Sequence, residues 1–287
     1  MTAAPALGPA VVHDPGPPNR TARPVTLAAA WRWLVFLFAI VFFIVPLAAA
    51  AVFSFRDHNG HTSLEPYRSI FSQPGFGSTL WLSVQLGVMT VLLTLALIVP
   101  TVTFVHLRLP RWKRVIETIT VLPLVIPPVV LVVGVLGAFS GTTLIGTPWI
   151  LGLEYVILAL PFAYRSLDAG LQAVDLKTLV EASRSLGGGP LVTLVRVVLP
   201  NLRTAVLNAS VLTLALVLGE LAMSSLLLFN TFPVWVVQVS QTEAAVSVAV
   251  SLLALLLTWA LLLALTMLGR ARGGQRRSLI VRRGKVT

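Results

Sequence analysis

Few side chains in these 287 residues could do acid–base, nucleophilic or metal chemistry, and their spacing excludes most of it. There is no cysteine, so disulfide and thiolate chemistry are absent. The four histidines, His13, His58, His61 and His106, share no metal-ligand spacing. His58 and His61 stand three apart in a Gly/Asn-containing stretch that reads as a surface loop rather than a metal site. No Gly-rich loop ending in Gly-Lys-Ser/Thr occurs, since Gly187 to Gly189 run into Pro190 and Gly273 and Gly274 run into Gln275. Nor does any serine, histidine and acid arrangement suggest a membrane hydrolase. What remains are carboxylates inside long apolar stretches: Glu154 and Glu220, with Glu243 near the edge of another. An ionisable group in lipid is costly and faces a protein interior or a water-lined path. Each of the first two therefore reads as either a pathway residue or a partner in a helix-to-helix hydrogen bond. Their sign favours a cationic solute.

The stretches that hold these carboxylates follow from composition. Hydrophobic residues make up 56% of the chain and charged residues only 11%, against about a quarter charged in soluble domains. Crossing a bilayer takes roughly 20 helical residues, and six apolar blocks approach that length: 33–55, 80–104, 119–139, 149–164, 205–229 and 244–268. The expected fold is an all-α polytopic membrane protein with six transmembrane helices. Pro123, Pro127 and Pro128 interrupt the third block, as a kink near the surface or as a moving, substrate-facing element. The fourth block is short. Residues 1–31, with Pro5, Pro9, Pro15, Pro17, Pro18 and Pro24, read as a flexible tail, 32–269 as the membrane domain and 270–287 as a basic tail.

Charge fixes the expected orientation. With the amino terminus inside, the segments 1–32, 105–118, 165–204 and 269–287 hold 3, 4, 5 and 7 basic residues, and the outside segments hold only Arg56 and Arg68. A six-crossing chain with both termini cytoplasmic thus obeys the positive-inside rule at every loop. The net charge of +11 belongs mainly to that basic tail, which argues against a nucleic-acid-binding domain.

The one sizeable charged, amphipathic region is the loop 165–204. Asp175 to Leu186 can form a short helix with an acid near its start, and Gly187 to Pro190 ends it sharply. Leu191, Leu194, Val195 and Val198 continue at helical spacing. A short surface helix held between two crossings is either a docking element for a cytoplasmic partner or an interfacial helix without one.

This stretch resembles the signature loop of binding-protein-dependent ATP-binding-cassette (ABC) importer permeases: Glu-Ala-Ala, three residues, Gly, nine residues, then Ile-x-Leu-Pro. Glu181, Ala182, Gly187, Leu199 and Pro200 match with all spacings intact, while Ser183 stands for Ala and Val197 for Ile. The resemblance implies a type I importer permease fold with a coupling helix between helices 4 and 5. It implies that Glu181 fixes that helix or its docking contacts, that Ala182 permits close approach, and that Gly187 allows the exit turn. Gly188 and Gly189 are expected to loosen the turn.

It further implies that the chain is no enzyme. ATP and Mg belong to a separate ATPase dimer, and this chain contains no cofactor. The other expected partners are a second, homologous permease subunit, an extracytoplasmic solute-binding protein, the small solute and membrane lipid. Within the family, the Leu122 to Pro128 segment and the region from Gly219 to Thr242 look closest to the spermidine/putrescine branch. A polyamine is therefore the leading expected cargo, with iron(III), phosphonate or sugar as alternatives and a non-transporting, ATPase-docking scaffold as a different class.

Overall fold

The computed structural model describes residues 25–56, 60–260 and 263. Most of the expected amino-terminal tail, His13, His58, the end of the sixth block and the basic tail 270–287 lie outside these residues. The described regular structure is helical apart from one isolated bridge, Arg56 to Thr62. The chain divides into two units, residues 1–49 and 50–287.

Helix α1 (Val25–Ser54) carries exposed Trp31 and Trp33 and then a run of exposed Phe, Leu, Ile and Val. A helix apolar on every side has no water-facing stripe, and lipid tails are the solvent that suits it. In the second unit the chain runs through α2 (Glu65–Ser69), α3 (Phe76–Arg108), α4 (Lys113–Val125), α5 (Pro128–Ala138), α6 (Trp149–Gln172) and α7 (Leu176–Ser185). It continues through α8 (Pro190–Thr193), α9 (Leu199–Asn201), α10 (Arg203–Gly219), α11 (Ala222–Leu226), α12 (Phe232–Ser240) and α13 (Ala244–Ala260).

Helices α3, α6 and α10 pack together as the centre of this unit. At one end Val99, Val102, Ala163, Leu167, Leu202 and Ala205 form a buried cluster. At the other, Leu86, Val132, Leu151, Val217 and Met223 form a second. Small residues let α6 and α10 cross closely: a Cβ on Gly170 would lie 2.5 Å from the Cβ of Ala205, and Ser166 Oγ donates to Ala205 O at 3.0 Å. Helix α12 is tied to the start of α3, with Phe232 N–H donating to Ser83 Oγ and Trp235 Nε1–H to Pro74 O, both at 2.8 Å.

Among the described residues, four helices are long and apolar enough to cross a membrane, Trp31–Ser54, Phe76–Arg108, Trp149–Gln172 and Arg203–Leu226, and a fifth is reached if α4 and α5 count as one. That pair is bent by 100°. Pro127 is extended (ψ 139°) and Pro128 starts α5, so the prolines break the third block rather than kink it. For the sixth block, the described part is the apolar helix Ala244–Ala260.

The fourth block differs from its expected length. Helix α6 runs eight residues past Tyr164, taking in the first part of the stretch expected as loop 165–204. Charge does not end the helix because it is paired. Asp168 Oδ1 lies 2.9 Å from Lys113 Nζ and 3.2 Å from His106 Nε2, and Arg165 Nε lies 3.4 Å from Glu117 Oε1.

Candidate functional site

The corner from Asp175 to Pro200 is built from local backbone rules. Asp175 caps α7: Thr178 N–H donates to Asp175 Oδ1 at 3.3 Å, and Thr178 Oγ1–H donates to Oδ2 at 2.7 Å. This satisfies a donor that the first turn of a helix leaves free, and accepting from Thr178 holds the Asp175 carboxyl below its ordinary range. Leu176, Val180 and Ser183, at helical spacing, turn inward and are buried, while Glu181, Ala182, Arg184 and Ser185 are exposed on the opposite face.

Helix α7 ends in a Schellman motif. Gly187 takes the left-handed conformation (φ +80°), its N–H donates to Arg184 O at 2.9 Å, and Gly188 N–H donates to Ser183 O at 2.9 Å. Gly188 does not loosen the turn, contrary to the sequence reading. A Cβ there would lie 2.5 Å from Ser183 Oγ and 2.8 Å from Ser183 O, so the chain closes tightly over Ser183. Ser183 Oγ in turn lies 2.8 Å from Thr193 Oγ1 in a buried pair that staples α7 to α8. The departure from Ala at this position thus has a partner ten residues away. The tight turn leaves Leu186 89% exposed at its tip, beside exposed Leu191 and Val195.

Helices α8 and α9 are joined by a π-helical turn, Leu194–Val198, in which Leu199 N–H donates to Leu194 O. The extra residue per turn rotates the inward face. Thr193 and Val198 are buried, Leu194, Val197 and Leu199 are half-buried, and Leu191, Val195 and Pro200 are exposed. The expected apolar face of Leu191, Leu194, Val195 and Val198 is therefore split between core and surface. Pro200 has no N–H to continue the ladder, and Asn201 Nδ2 donates to Val197 O at 2.7 Å nearby.

The corner is anchored to the central helices. Leu176, Val180, Val198 and Leu202 belong to the same buried cluster as Val99, Val102 and Leu167. Beside it, Asp168 gathers His106 of α3 and Lys113 of α4, and also accepts from Gln172 Nε2 at 2.6 Å. Asp168, Thr193 and Gly188 are the residues that sequence reasoning missed. Asp168 and Lys113 were visible as charges beside apolar blocks, but nothing in their spacing shows that they meet.

The two candidate pathway residues lie apart from this corner. Glu154, on α6, is only 3% exposed, and neither carboxylate oxygen has a hydrogen-bond partner. Glu220 sits at a break (ψ 116°) between α10 and α11. Its Oε1 accepts from the N–H of Ala222 at 2.9 Å and of Met223 at 3.1 Å. The fifth block, whose stretch Arg203–Leu226 is long and apolar enough to cross as one span, thus carries a local break in its helical ladder at Glu220. The carboxylate of Glu220 supplies the acceptor for N–H groups that the break sets free.

Fold and site together define a class: a helical membrane protein that carries, between two spans, a short exposed helix locked onto the core of those spans. The chain belongs to the family of binding-protein-dependent transport system inner membrane components, whose profile matches residues 104–272. It is 28% identical over 210 residues to the molybdenum transport system permease protein ModB of Mycobacterium bovis and of Mycobacterium tuberculosis, covering 69% of this chain and 76% of each relative. It is also 28% identical over 253 residues to a probable molybdenum ABC transporter permease protein of Haloferax volcanii, covering 82% and 91%. The fold is similar to a chain of a bacterial ABC transporter involved in the import of the acidic polysaccharide alginate, with a TM-score of 0.63 and 12% identity over 85% of this chain and 95% of that one.

These relatives correct the expected nearness to the polyamine branch, since their names speak of molybdenum. The residues that suggested polyamines serve the backbone. The Leu122 to Pro128 segment makes the α4–α5 bend, and the region after Gly219 makes the Glu220 cap.

Proposed function

We propose that this chain is the permease subunit of an ABC importer for an oxyanion of the molybdate class, working by alternating access driven by separate ATPase subunits. The observation that carries the coupling role is the α7–α8 corner. It exposes Glu181, Ala182, Leu186 and Leu191 while Leu176, Val180 and Val198 are buried with residues of α3, α6 and α10. A push on the exposed face is delivered to the packed spans rather than absorbed by a soft loop. Alternating access is then a ligand-biased shift between two packings, with no covalent step in this chain.

Molybdenum in the names of three relatives supports the cargo class, and in neutral water that element is carried as a tetrahedral dianion. Glu220 does not oppose it, since its carboxylate is committed to backbone N–H groups, and Glu154 is shut off from solvent on α6. In this reading the chain makes six crossings with both termini cytoplasmic, α13 beginning the last. It pairs with a second permease subunit and an ATPase dimer that holds ATP and Mg, and it receives cargo from an extracytoplasmic binding protein.

The test is ATP hydrolysis by the reconstituted complex with its binding protein, across molybdate, tungstate, sulfate, phosphonate and putrescine. Stimulation by molybdate or tungstate, lost together with ATPase co-purification in Leu186→Asp, is the expected result. Stimulation by putrescine would overturn the cargo class. Hydrolysis indifferent to every solute would replace transport by a docking scaffold.

A further inference from the structure

A groove of about 520 Å³ separates the Arg108 end of α3 from the α7–α8 corner, a size in the range of small-molecule sites. Phe104, Leu107, Leu191 and Leu194 line its length, and among the described residues Arg108 and Arg184 are its charged ones and no acidic side chain lines it. Phe104, more than half exposed, lines the groove on α3. Arg108 follows one turn later, about 6 Å further along the helix axis. Beyond it, Trp112 is exposed between exposed Arg111 and Arg114, the composition of a membrane–water interface. In the orientation proposed above, the apolar length of the groove lies toward the hydrocarbon and its arginines toward the headgroups.

This gradient selects an occupant. A soluble anion leaves the apolar length unfilled, and a zwitterionic lipid leaves two guanidinium groups without net compensation. A guanidinium fork matches phosphate geometry, and basic residues at the cytoplasmic surface attract anionic lipid.

We propose that the groove binds one anionic phospholipid, its phosphate held by Arg108 and Arg184 and one acyl chain lying along Phe104, Leu107 and Leu194. Because Arg184 lies on α7 and Arg108 on α3, the lipid links the coupling corner to a span. Its assignment to the inner leaflet rests on the orientation proposed above. The binding itself does not rest on transport, so it is measured separately from it.

The experiment is native mass spectrometry of the purified permease complex titrated with phosphatidylglycerol and with phosphatidylcholine. The wild type is expected to retain phosphatidylglycerol selectively. Arg108→Gln should lower that retention about five-fold. Leu107→Trp, which fills the groove without changing charge, should lower it as well, while Arg68→Gln on α2 should leave it unchanged. Equal retention of the two lipids, or retention untouched by Arg108→Gln and Leu107→Trp, overturns the proposal. So does loss of the ATPase subunits in these variants with lipid unaltered, which would make the groove a protein interface.

Discussion

Two helices in this molecule end in the same backbone motif with different residues at its left-handed position. At the end of α7 the position is Gly187 (φ +80°); at the end of α11 it is Leu228 (φ +61°), whose N–H donates to Ser225 O while Phe229 N–H donates to Ser224 O. Glycine takes this conformation without steric penalty, whereas an L-residue with a Cβ does so at about 1–2 kcal/mol. The beginnings differ too. Asp175, outside the spans, caps a helix of ten residues, while Glu220, beside an apolar core, caps one of five. The coupling corner is thus built from residues that favour its shape locally. The end of α11 takes a less favoured shape at Leu228, which is itself 91% exposed, while Met223 and Ser224 anchor the short helix in the core. A rigid corner suits force transmission, and a constrained break suits a segment that changes shape.

The largest expected effect tests the rigidity of the corner. Gly188→Val places side-chain atoms on Ser183 Oγ and its carbonyl, overpacking a site whose neighbours are backbone and a buried hydroxyl pair. A loss of about 3 kcal/mol is expected, read as a lower Tm in detergent together with loss of the co-purifying ATPase. Gly189→Ala, with nothing within 4 Å and φ −71°, should stay within about 0.5 kcal/mol. Equal effects at the two glycines would mean that the corner is not tightly closed.

The next comparison sets the two carboxylates against each other. Glu220→Ala removes the acceptor for two backbone N–H groups and should cost about 1.5–3 kcal/mol. Glu154→Gln removes no hydrogen bond, because its oxygens have none, and should leave Tm unchanged or raise it. A large loss at Glu154 with none at Glu220 would reverse their structural roles.

The reciprocal exchange at the two helix ends is smaller and of opposite sign. Gly187→Leu should destabilise by about 1 kcal/mol and Leu228→Gly should stabilise by a similar or smaller amount, the conformational penalty being partly offset by the entropy that glycine adds to the unfolded chain. If Leu228→Gly raises Tm while lowering transport, the strained leucine is kept for function rather than stability.

What was legible in the sequence follows the same division. Gly187 stands out as a helix stop and Asp175 as an acid at a helix start, because caps act within four residues of the chain they serve. The spacing from Glu181 to Pro200 was readable for a different reason, its resemblance to a family signature. Gly188 was not, since its need arises from a fold-back onto Ser183 that depends on Thr193. The break at Glu220 was hidden because the residues around it are as apolar as the crossing they interrupt, and only the carboxylate's contact with Ala222 and Met223 marks it. Helix α6 extends beyond its apolar block because Asp168 meets His106 and Lys113 from two other helices, a pairing that no local pattern contains.

The smallest effect concerns the start of α7 and is best seen through pH. The Asp175 carboxyl is held below its ordinary value, chiefly by the hydroxyl and the N–H of Thr178, although the group is exposed. A folded-state value below the unfolded one means that the unfolded chain takes up the proton first as pH falls. The contribution of the charged cap is therefore fully present above the unfolded carboxylate range and is lost as pH drops through the folded value. Asp175→Asn keeps a capping oxygen but removes the charge that favours a helix start. Its Tm should fall slightly at neutral pH and converge on that of the wild type in acid. Ordering of α7, followed by hydrogen exchange at Thr178 and Leu179, should lose its pH dependence across the carboxylate range in the variant. An unchanged pH profile would show that the corner is held by its tight turn, the Ser183–Thr193 pair and its buried apolar contacts, with no electrostatic share from its first turn.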